Sequence, residues 1–116
     1  MNDFKELNVW KDAITLASKV YLLSNVLPDY EKFGIVSQIR RAVVSISSNI
    51  AEGAGRNNKT EFYHFIGIAR GSASEVQSLI YVCVELRYLK EVETTEIIES
   101  IIKIQNMLYK LQRTLK

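Results

Sequence analysis

The segment from Gly53 to Thr60 nearly matches the phosphate-binding loop of nucleotide-binding proteins, because Lys59 and Thr60 stand where that loop has its lysine and its hydroxyl residue. The match fails at Asn58, which replaces the second glycine of the loop. The segment before it has helical periodicity, whereas a phosphate-binding loop follows a strand. We therefore predict that this loop binds neither ATP nor GTP.

Glu61 and His64 have the Glu-x-x-His spacing from which the di-iron centres of helical bundles are built. Such a centre needs two of these pairs and two further carboxylates, and His64 is the only histidine in the chain. The single cysteine, Cys83, stands on an apolar helical stripe, which predicts a buried side chain rather than a nucleophile. We expect no metal site, no cofactor and no enzymatic activity.

The composition is that of one ordinary globular domain, which we place at residues 1–116. Apolar residues make up 47% of the chain, and 15 Lys and Arg against 13 Asp and Glu give a net charge of +2. One cysteine cannot form an internal disulfide, the N-terminus lacks the pattern of a signal peptide, and no apolar stretch is long enough for a membrane span. We expect a cytoplasmic protein that has no membrane partner.

Four segments repeat apolar residues every three or four positions, as amphipathic helices do, at roughly 8–27, 31–54, 59–89 and 95–115. Residues that end or cap helices lie between them: Pro28, Asn58 with Glu61 three positions later, and Thr94 as a predicted N-cap. No segment alternates with period two. Because the connections are short, the sequence predicts an all-α, up-down-up-down antiparallel four-helix bundle.

The last predicted helix is acidic from Glu91 to Glu99 and basic from Lys103 to Lys116. Complementarity to the helix dipole is one explanation. The other is that the predicted bundle gathers basic residues at one end, where a phosphate backbone could bind. The candidate phosphate contacts are Arg56, Lys59, Lys110 and Arg113, with Arg40 and Arg70 as further candidates.

Small and polar residues form stripes on the second and third helices that a solvated surface does not explain. The candidate polar network or subunit interface consists of Gln38, Arg41, Ser45, Asn49, Glu52, Gly67, Gly71, Ser72 and Glu75. Three explanations are open: tight packing between helices two and three, a subunit interface, and a ligand pocket. We expect Arg41 to form a structural ion pair with Glu52 or Glu75 rather than a phosphate contact. The off-seam aromatics Tyr63 and Tyr81 favour oligomerisation.

Two stretches resemble a known family. They are Ser37-Gln-Ile-Arg-Arg-Ala-Val-Val-Ser-Ile-Ser-Ser-Asn-Ile-Ala-Glu-Gly53 and Ala69-Arg-Gly-Ser-Ala-Ser-Glu75. Both are similar to the four-helix-bundle proteins encoded in 23S rRNA intervening sequences, an older label for which is ribosomal-protein-like. The resemblance extends from Val9 to Leu89. One departure is Ser47, where relatives often have proline.

The resemblance implies a homopentamer of four-helix bundles and no settled biochemical activity. It also implies a relationship to the accessory protein of diversity-generating retroelements, a basic pentamer that binds a reverse transcriptase and nucleic acid. Two hypotheses of function follow. The protein is a charge-led nucleic-acid-binding or nucleoprotein scaffold, in which a cyclic oligomer aligns five basic ends. Alternatively it is a scaffold for a protein partner, such as a polymerase, with no intrinsic nucleic-acid binding.

Overall fold

Four α-helices account for most of residues 3–116, the part of the chain that the computed structural model describes. They are α1 (Asn8–Ser24), α2 (Ile35–Ala54), α3 (Lys59–Glu85) and α4 (Glu91–Thr114). Two short 3-10 helices, Phe4–Glu6 and Asp29–Glu31, precede α1 and α2, and the described residues contain no strand. The all-α prediction is confirmed. Met1 and Asn2, which belong to the predicted domain, lie outside the described residues.

The connection between α1 and α2 is longer than the sequence predicted. Helix α1 ends at Ser24 instead of residue 27, and α2 begins at Ile35 instead of residue 31. Gly34, just before α2, has a non-helical backbone. The Glu31 side chain caps the new start, because its Oε1 accepts the backbone N–H of Ile35 at 3.3 Å.

Helix α3 ends four residues earlier than predicted, in a Schellman motif. Arg87 has a φ of 63°, in the left-handed region. Its N–H donates to the carbonyl of Val84 at 2.9 Å, and the N–H of Tyr88 donates to the carbonyl of Cys83 at 2.9 Å. Glycine usually occupies this position. Because the residue here is arginine, the sequence does not indicate that the helix ends.

The starts of α3 and α4 differ in how well the sequence predicts them. Asn58 caps α3, since its Oδ1 accepts the N–H of Glu61 at 3.0 Å. Thr94 does not cap α4, because the helix begins at Glu91 and the Thr94 hydroxyl donates back to the Glu91 carbonyl at 2.8 Å. The N–H of Lys90 instead donates to the Glu93 carboxylate at 2.7 Å.

One apolar core lies between the four helices. Fully buried side chains come from every helix, including Leu16, Ile46, Ile66 and Ile101. Burying each of these contributes about 1.5–3 kcal/mol. The sequence of α1 has two neighbouring apolar stripes, one through Ile14 and Ala17 and one through Leu16 and Val20. The core contains Leu16 and Val20, whereas Ile14 is 44% exposed. Within residues 3–116, no helix combines the length and the apolarity that crossing a bilayer requires.

At Gly53, α2 and α3 pack too closely for a side chain on α2. A Cβ atom at this position would lie 2.8 Å from Cβ of Phe65 and 2.9 Å from Cδ1 of Phe62. Gly71, halfway along α3, differs entirely, because a Cβ there would meet no atom within 4 Å. The first glycine is required by packing and the second is not.

Replacing each glycine by alanine tests this contrast. Gly53→Ala should lower the free energy of unfolding by about 1–2 kcal/mol, because the new methyl group displaces two phenylalanines and outweighs the gain in helix propensity. Gly71→Ala, the matched control, should raise it by about 0.5–1 kcal/mol. Urea titrations followed by circular dichroism measure both changes. A stabilising Gly53→Ala would contradict the close packing.

Candidate nucleic-acid interface

An open groove runs along the surface between α3 and α4. Its upper part has a volume of about 570 Å³ and is lined by Gly67, Arg70, Gly71, Ser74, Gln105, Asn106 and Tyr109. Its lower part, of about 330 Å³, shares Arg70 and Tyr109 and adds Tyr63, Gln112, Arg113 and Lys116. These eleven residues define the α3–α4 groove. Its upper part is open at Gly71, where a Cβ would meet no atom within 4 Å, whereas the space beside Gly67 is taken by the Gln112 amide, 3.1 Å from where its Cβ would lie.

Gln112 fixes the position of Arg70 in the groove. The Gln112 side chain is buried, with 7% exposure. Its Oε1 accepts a hydrogen bond from Nη1 of Arg70 at 2.7 Å, and its Nε2 donates to the backbone carbonyl of Tyr63 at 3.1 Å. Both ends of the amide are satisfied, so the guanidinium is held at the groove by a bond from the protein interior.

Tyr109 lies at the centre of the cationic part of the groove. Its ring centroid is 5.1 Å from the guanidinium carbon of Arg70 and 5.8 Å from that of Arg113, within the range of cation–π attraction. Tyr109, Arg113 and Lys116 follow at spacings of four and three residues, which places them on one face of α4. The ring remains 47% exposed between these cations.

No carboxylate neutralises the cations of the α3–α4 groove. The ion pairs among residues 3–116 lie elsewhere and join Lys19 to Glu96, Arg56 to Glu52, and Lys103 to Asp12. No acidic residue lines either part of the groove. The groove is therefore a concave surface of uncompensated positive charge, which attracts anions.

Arg56 and Lys59 form a second basic cluster, at the α2–α3 connection. Together with Leu115 they line a depression of about 290 Å³ beside the C-terminal end of α4. Arg56 lies over the ring of Phe65 at 5.0 Å and within 3.7 Å of the Glu52 carboxylate. Its charge is thus partly compensated, whereas Lys59 is exposed.

The two other candidate cations are not brought into either cluster. Lys110 is exposed on α4 but lines neither depression. Arg40 lies at the junction of α1 and α2, where its Nε donates to Oγ of Ser24 and its Nη2 to Oδ1 of Asn25, both at 2.8 Å. Arg40 joins the C-terminal end of α1 to α2.

The polar stripe of α2 forms hydrogen bonds to α3 and within α2. Oγ of Ser45 lies 2.9 Å from Oγ of Ser72, and Nδ2 of Asn49 donates to Oγ of Ser45 at 2.9 Å. Gln38 donates to the Glu75 carboxylate at 3.4 Å. The serines and the asparagine of the predicted network therefore lie together between α2 and α3.

Four residues of the predicted network, Arg41, Glu52, Gly67 and Gly71, take no part in these hydrogen bonds. Gly67 and Gly71 line the α3–α4 groove, so tight packing of α2 on α3, one of the three explanations that the sequence left open, does not account for them. Arg41 is exposed, and within the described chain it has no ion pair. The expected partners are engaged elsewhere, since Glu52 pairs with Arg56.

The residues considered for catalysis or metal binding lie apart. His64 is exposed and packs edge-to-face against Phe65, with ring centroids 5.6 Å apart. Cys83 is buried beside Leu27 and Leu89. Burial, and secondarily the charge of Glu31, raises the pKa of the Cys83 thiol, which reduces its thiolate fraction at neutral pH. Within residues 3–116, no three His, Cys, Asp or Glu side chains are grouped so that they could hold a metal ion.

Sequence reasoning missed the α3–α4 groove although a signal for it exists. Its α3 wall follows the spacing four, three, four through Tyr63, Gly67, Arg70 and Ser74. Its α4 wall has the same spacing through Gln105, Tyr109, Gln112 and Lys116. Each is one helical face, and the groove forms where the two faces meet.

The chain resembles known proteins in sequence and in fold. Residues 5–110 match the family described as 23S rRNA-intervening sequence protein. A crystal structure at 1.70 Å resolution of a protein of unknown function, from the S23 ribosomal protein family of Bacteroides thetaiotaomicron VPI-5482, superposes with a TM-score of 0.83. The two share 22% sequence identity over 90% of this chain and 97% of that one, which establishes a shared fold. No curated protein is significantly similar in sequence.

Replacing Gln112 tests its role as the support of Arg70. Gln112→Met removes both hydrogen bonds and should lower the free energy of unfolding by about 1–2 kcal/mol. Gln105→Met, on the same face of α4, breaks only the half-buried bond to Gln77 and should cost less than about 0.5 kcal/mol. Thermal and urea unfolding measure both. Equal effects would show that the buried amide has no special role.

Proposed function

The chain belongs to the 23S rRNA-intervening sequence protein family, and on that premise we propose that it is a non-enzymatic nucleic-acid-binding protein or nucleoprotein scaffold. The observation that carries the proposal is the α3–α4 groove, in which Arg70, Arg113 and Lys116 surround Tyr109 with no acidic residue in its walls. We also expect the protein to act in the cytoplasm, because the resemblance is to proteins encoded within rRNA genes.

Phosphate contacts would supply most of the affinity. Each phosphate that a cation neutralises releases counterions, so charge-led binding weakens steeply as salt concentration rises. Arg70 suits this role because its guanidinium is already held by Gln112 and loses little freedom on binding. The Arg56 and Lys59 cluster would add contacts at the end of the bundle, and Lys110 would add to the long-range field.

We propose an up-down-up-down connection of the four helices. Two pairs of contacts support it for α1 and α4, since Asp12 contacts Lys103 whereas Lys19, further along α1, contacts Glu96, earlier in α4. Both orders of contact are those of antiparallel helices. Helices α2 and α3 are also antiparallel, because Ser45 contacts Ser72 and the earlier Gln38 contacts the later Glu75.

We further propose that the protein assembles as a cyclic homopentamer. The support is the family resemblance and the number of large apolar side chains exposed on a single chain. In a ring, every subunit has the same orientation, so five α3–α4 grooves would lie at one level and bind nucleic acid jointly.

Charge reversal in the groove tests the nucleic-acid proposal. Binding of a fluorescent structured RNA should weaken with increasing salt. Arg70→Glu combined with Arg113→Glu should lower the affinity at least about ten-fold at 100 mM salt and reduce the log–log salt slope by about 1.5, the value for two lost phosphate contacts. Arg56→Glu with Lys59→Glu should have a smaller effect, because Arg56 already pairs with Glu52. Fluorescence anisotropy over a salt series measures these effects.

The matched control for this experiment is Lys32→Glu with Arg87→Glu. It changes the net charge equally, but both residues are exposed at the opposite end of the bundle, the end that also carries Asp29 and Glu91. Sedimentation of each variant checks that the assembly is intact. If the control weakened binding as much as the groove variant, binding would follow net charge and the groove would not be the site.

The end of the bundle that carries Asp29, Glu31, Glu85 and Glu91, here called the acidic end, supports a second candidate function, as a scaffold for a protein partner. Tyr30 is 78% exposed and Phe33 is 90% exposed, in the connection that also carries Asp29. Tyr88 anchors this surface, with an edge-to-face contact to Tyr30 and a 2.8 Å hydrogen bond to Glu31. Such a surface fits a basic protein segment that carries an apolar anchor.

Tyr30→Ser with Phe33→Ser should abolish binding of such a partner and leave RNA affinity unchanged. Affinity capture from nuclease-treated lysate, followed by titration of the purified candidate, compares this variant with the wild type. The groove charge-reversal variant serves as the control, and it should keep the protein partner. A partner that binds the serine variant as tightly as the wild type would eliminate this surface as the docking site.

A further inference from the structure

The upper part of the α3–α4 groove is larger and less charged than phosphate binding requires. Its volume of about 570 Å³ is typical of sites for small organic molecules, which span about 300–1,000 Å³. Gly71 contributes no side chain, and the space where its Cβ would point is empty to 4 Å. No packing requirement accounts for a glycine at this position, where it weakens the helix.

The chemistry of the groove changes along the helix axis. Its lower part holds the cations Arg113 and Lys116, and its upper part holds the neutral Ser74, Gln105 and Asn106. Asn106 and Arg113 are seven positions apart, which is about 10 Å along α4. The exposed ring of Tyr109 lies between these two regions.

Each region matches one part of a nucleotide. The guanidinium and ammonium groups bind phosphate. Amide and hydroxyl side chains pair with the edges of bases, and a tyrosine ring or a guanidinium plane stacks on their faces. In a duplex, the bases are stacked inside and only the phosphates would reach Arg113 and Lys116, leaving the neutral region empty.

We propose that the α3–α4 groove holds an unpaired nucleotide of single-stranded nucleic acid. The phosphate lies against Arg70, Arg113 and Lys116, and the base enters the neutral region beside Gly71. This proposal rests on the proposed nucleic-acid binding and gives its ligand class. The protein accordingly prefers unpaired strands to duplexes of the same length and charge density.

The decisive variant is Gly71→Leu. Its side chain enters the groove without displacing any atom within 4 Å of the new Cβ, and every cation remains in place. Its affinity for an unpaired uridine oligomer of about 12 nucleotides should fall about ten-fold or more, the loss expected when one stacked base is excluded. Its affinity for a hairpin duplex should change less than about two-fold, since the phosphate contacts are retained. Fluorescence anisotropy at fixed salt measures both.

Ser78→Leu is the matched control. Ser78 is exposed seven residues further along α3, on the same helical face but beyond the groove, so it should leave both affinities unchanged. A second variant, Tyr109→Leu, removes the ring and should also weaken binding of the unpaired strand more than binding of the duplex. Circular dichroism confirms that each variant is folded.

The possible outcomes separate this inference from the proposed function. If Gly71→Leu leaves both affinities unchanged, or weakens both equally, the groove does not select an unpaired base and the inference is overturned, while the nucleic-acid proposal stands. If Gly71→Leu dissociates the assembly, the groove is a subunit interface and the inference is wrong. If the wild-type protein binds neither probe near 50 mM salt, the proposed function fails and the inference fails with it.

Discussion

Helix α3 packs against α2 on one side and against α4 on the other. These two contacts determine where the helices pack closely and where the groove forms. Its buried seam, which includes Ile66 and Ala73, packs into the common core. On one side, Ser72 meets Ser45 of α2 at hydrogen-bond distance. On the other side, the backbone carbonyl of Tyr63 accepts a hydrogen bond from Gln112 of α4. The contact with α2 is close and continuous, whereas the contact with α4 leaves a groove.

The difference between the two sides of α3 has a physical cause. Where α2 meets α3, Gly53 removes a side chain and the two phenylalanines Phe62 and Phe65 fill the space. Where α4 meets α3, the Gln112 amide lies 3.1 Å from the place that a Cβ of Gly67 would take, whereas no atom lies within 4 Å of a Cβ at Gly71. A glycine whose side-chain space stays empty lacks both the helix propensity of alanine and the buried area of a larger side chain. This lowers the stability by about 1 kcal/mol or more. Packing within one chain therefore accounts for Gly67 but not for Gly71, which is the position that the proposed ligand would fill.

The sequence predicted the core well and the helix ends and surface grooves poorly. The apolar stripe of a helix is a repeat within its own sequence, so the stripes of α2, α3 and α4 could be identified from the sequence alone. The end of α3 could not be predicted, because Arg87 adopts the left-handed conformation that glycine usually adopts at a helix end. In α1 two stripes competed, and only the packing of the other helices places Leu16 rather than Ile14 in the core. The α3–α4 groove could not be predicted, because its prediction requires knowing which faces of α3 and α4 meet.

The same reasoning separates two sources of positive charge. Complementarity to the helix dipole explains cations within the last turn of a helix and fades beyond it. Arg113 and Lys116, at the end of α4, are consistent with that explanation. Arg70 is not, because it is the twelfth residue of a 27-residue helix, far from both ends. It is held by a buried glutamine and lies beside an exposed tyrosine. The helix dipole therefore does not explain a cation fixed in mid-helix at a groove without acidic residues, and the position of Arg70 supports the proposed binding of an anionic ligand.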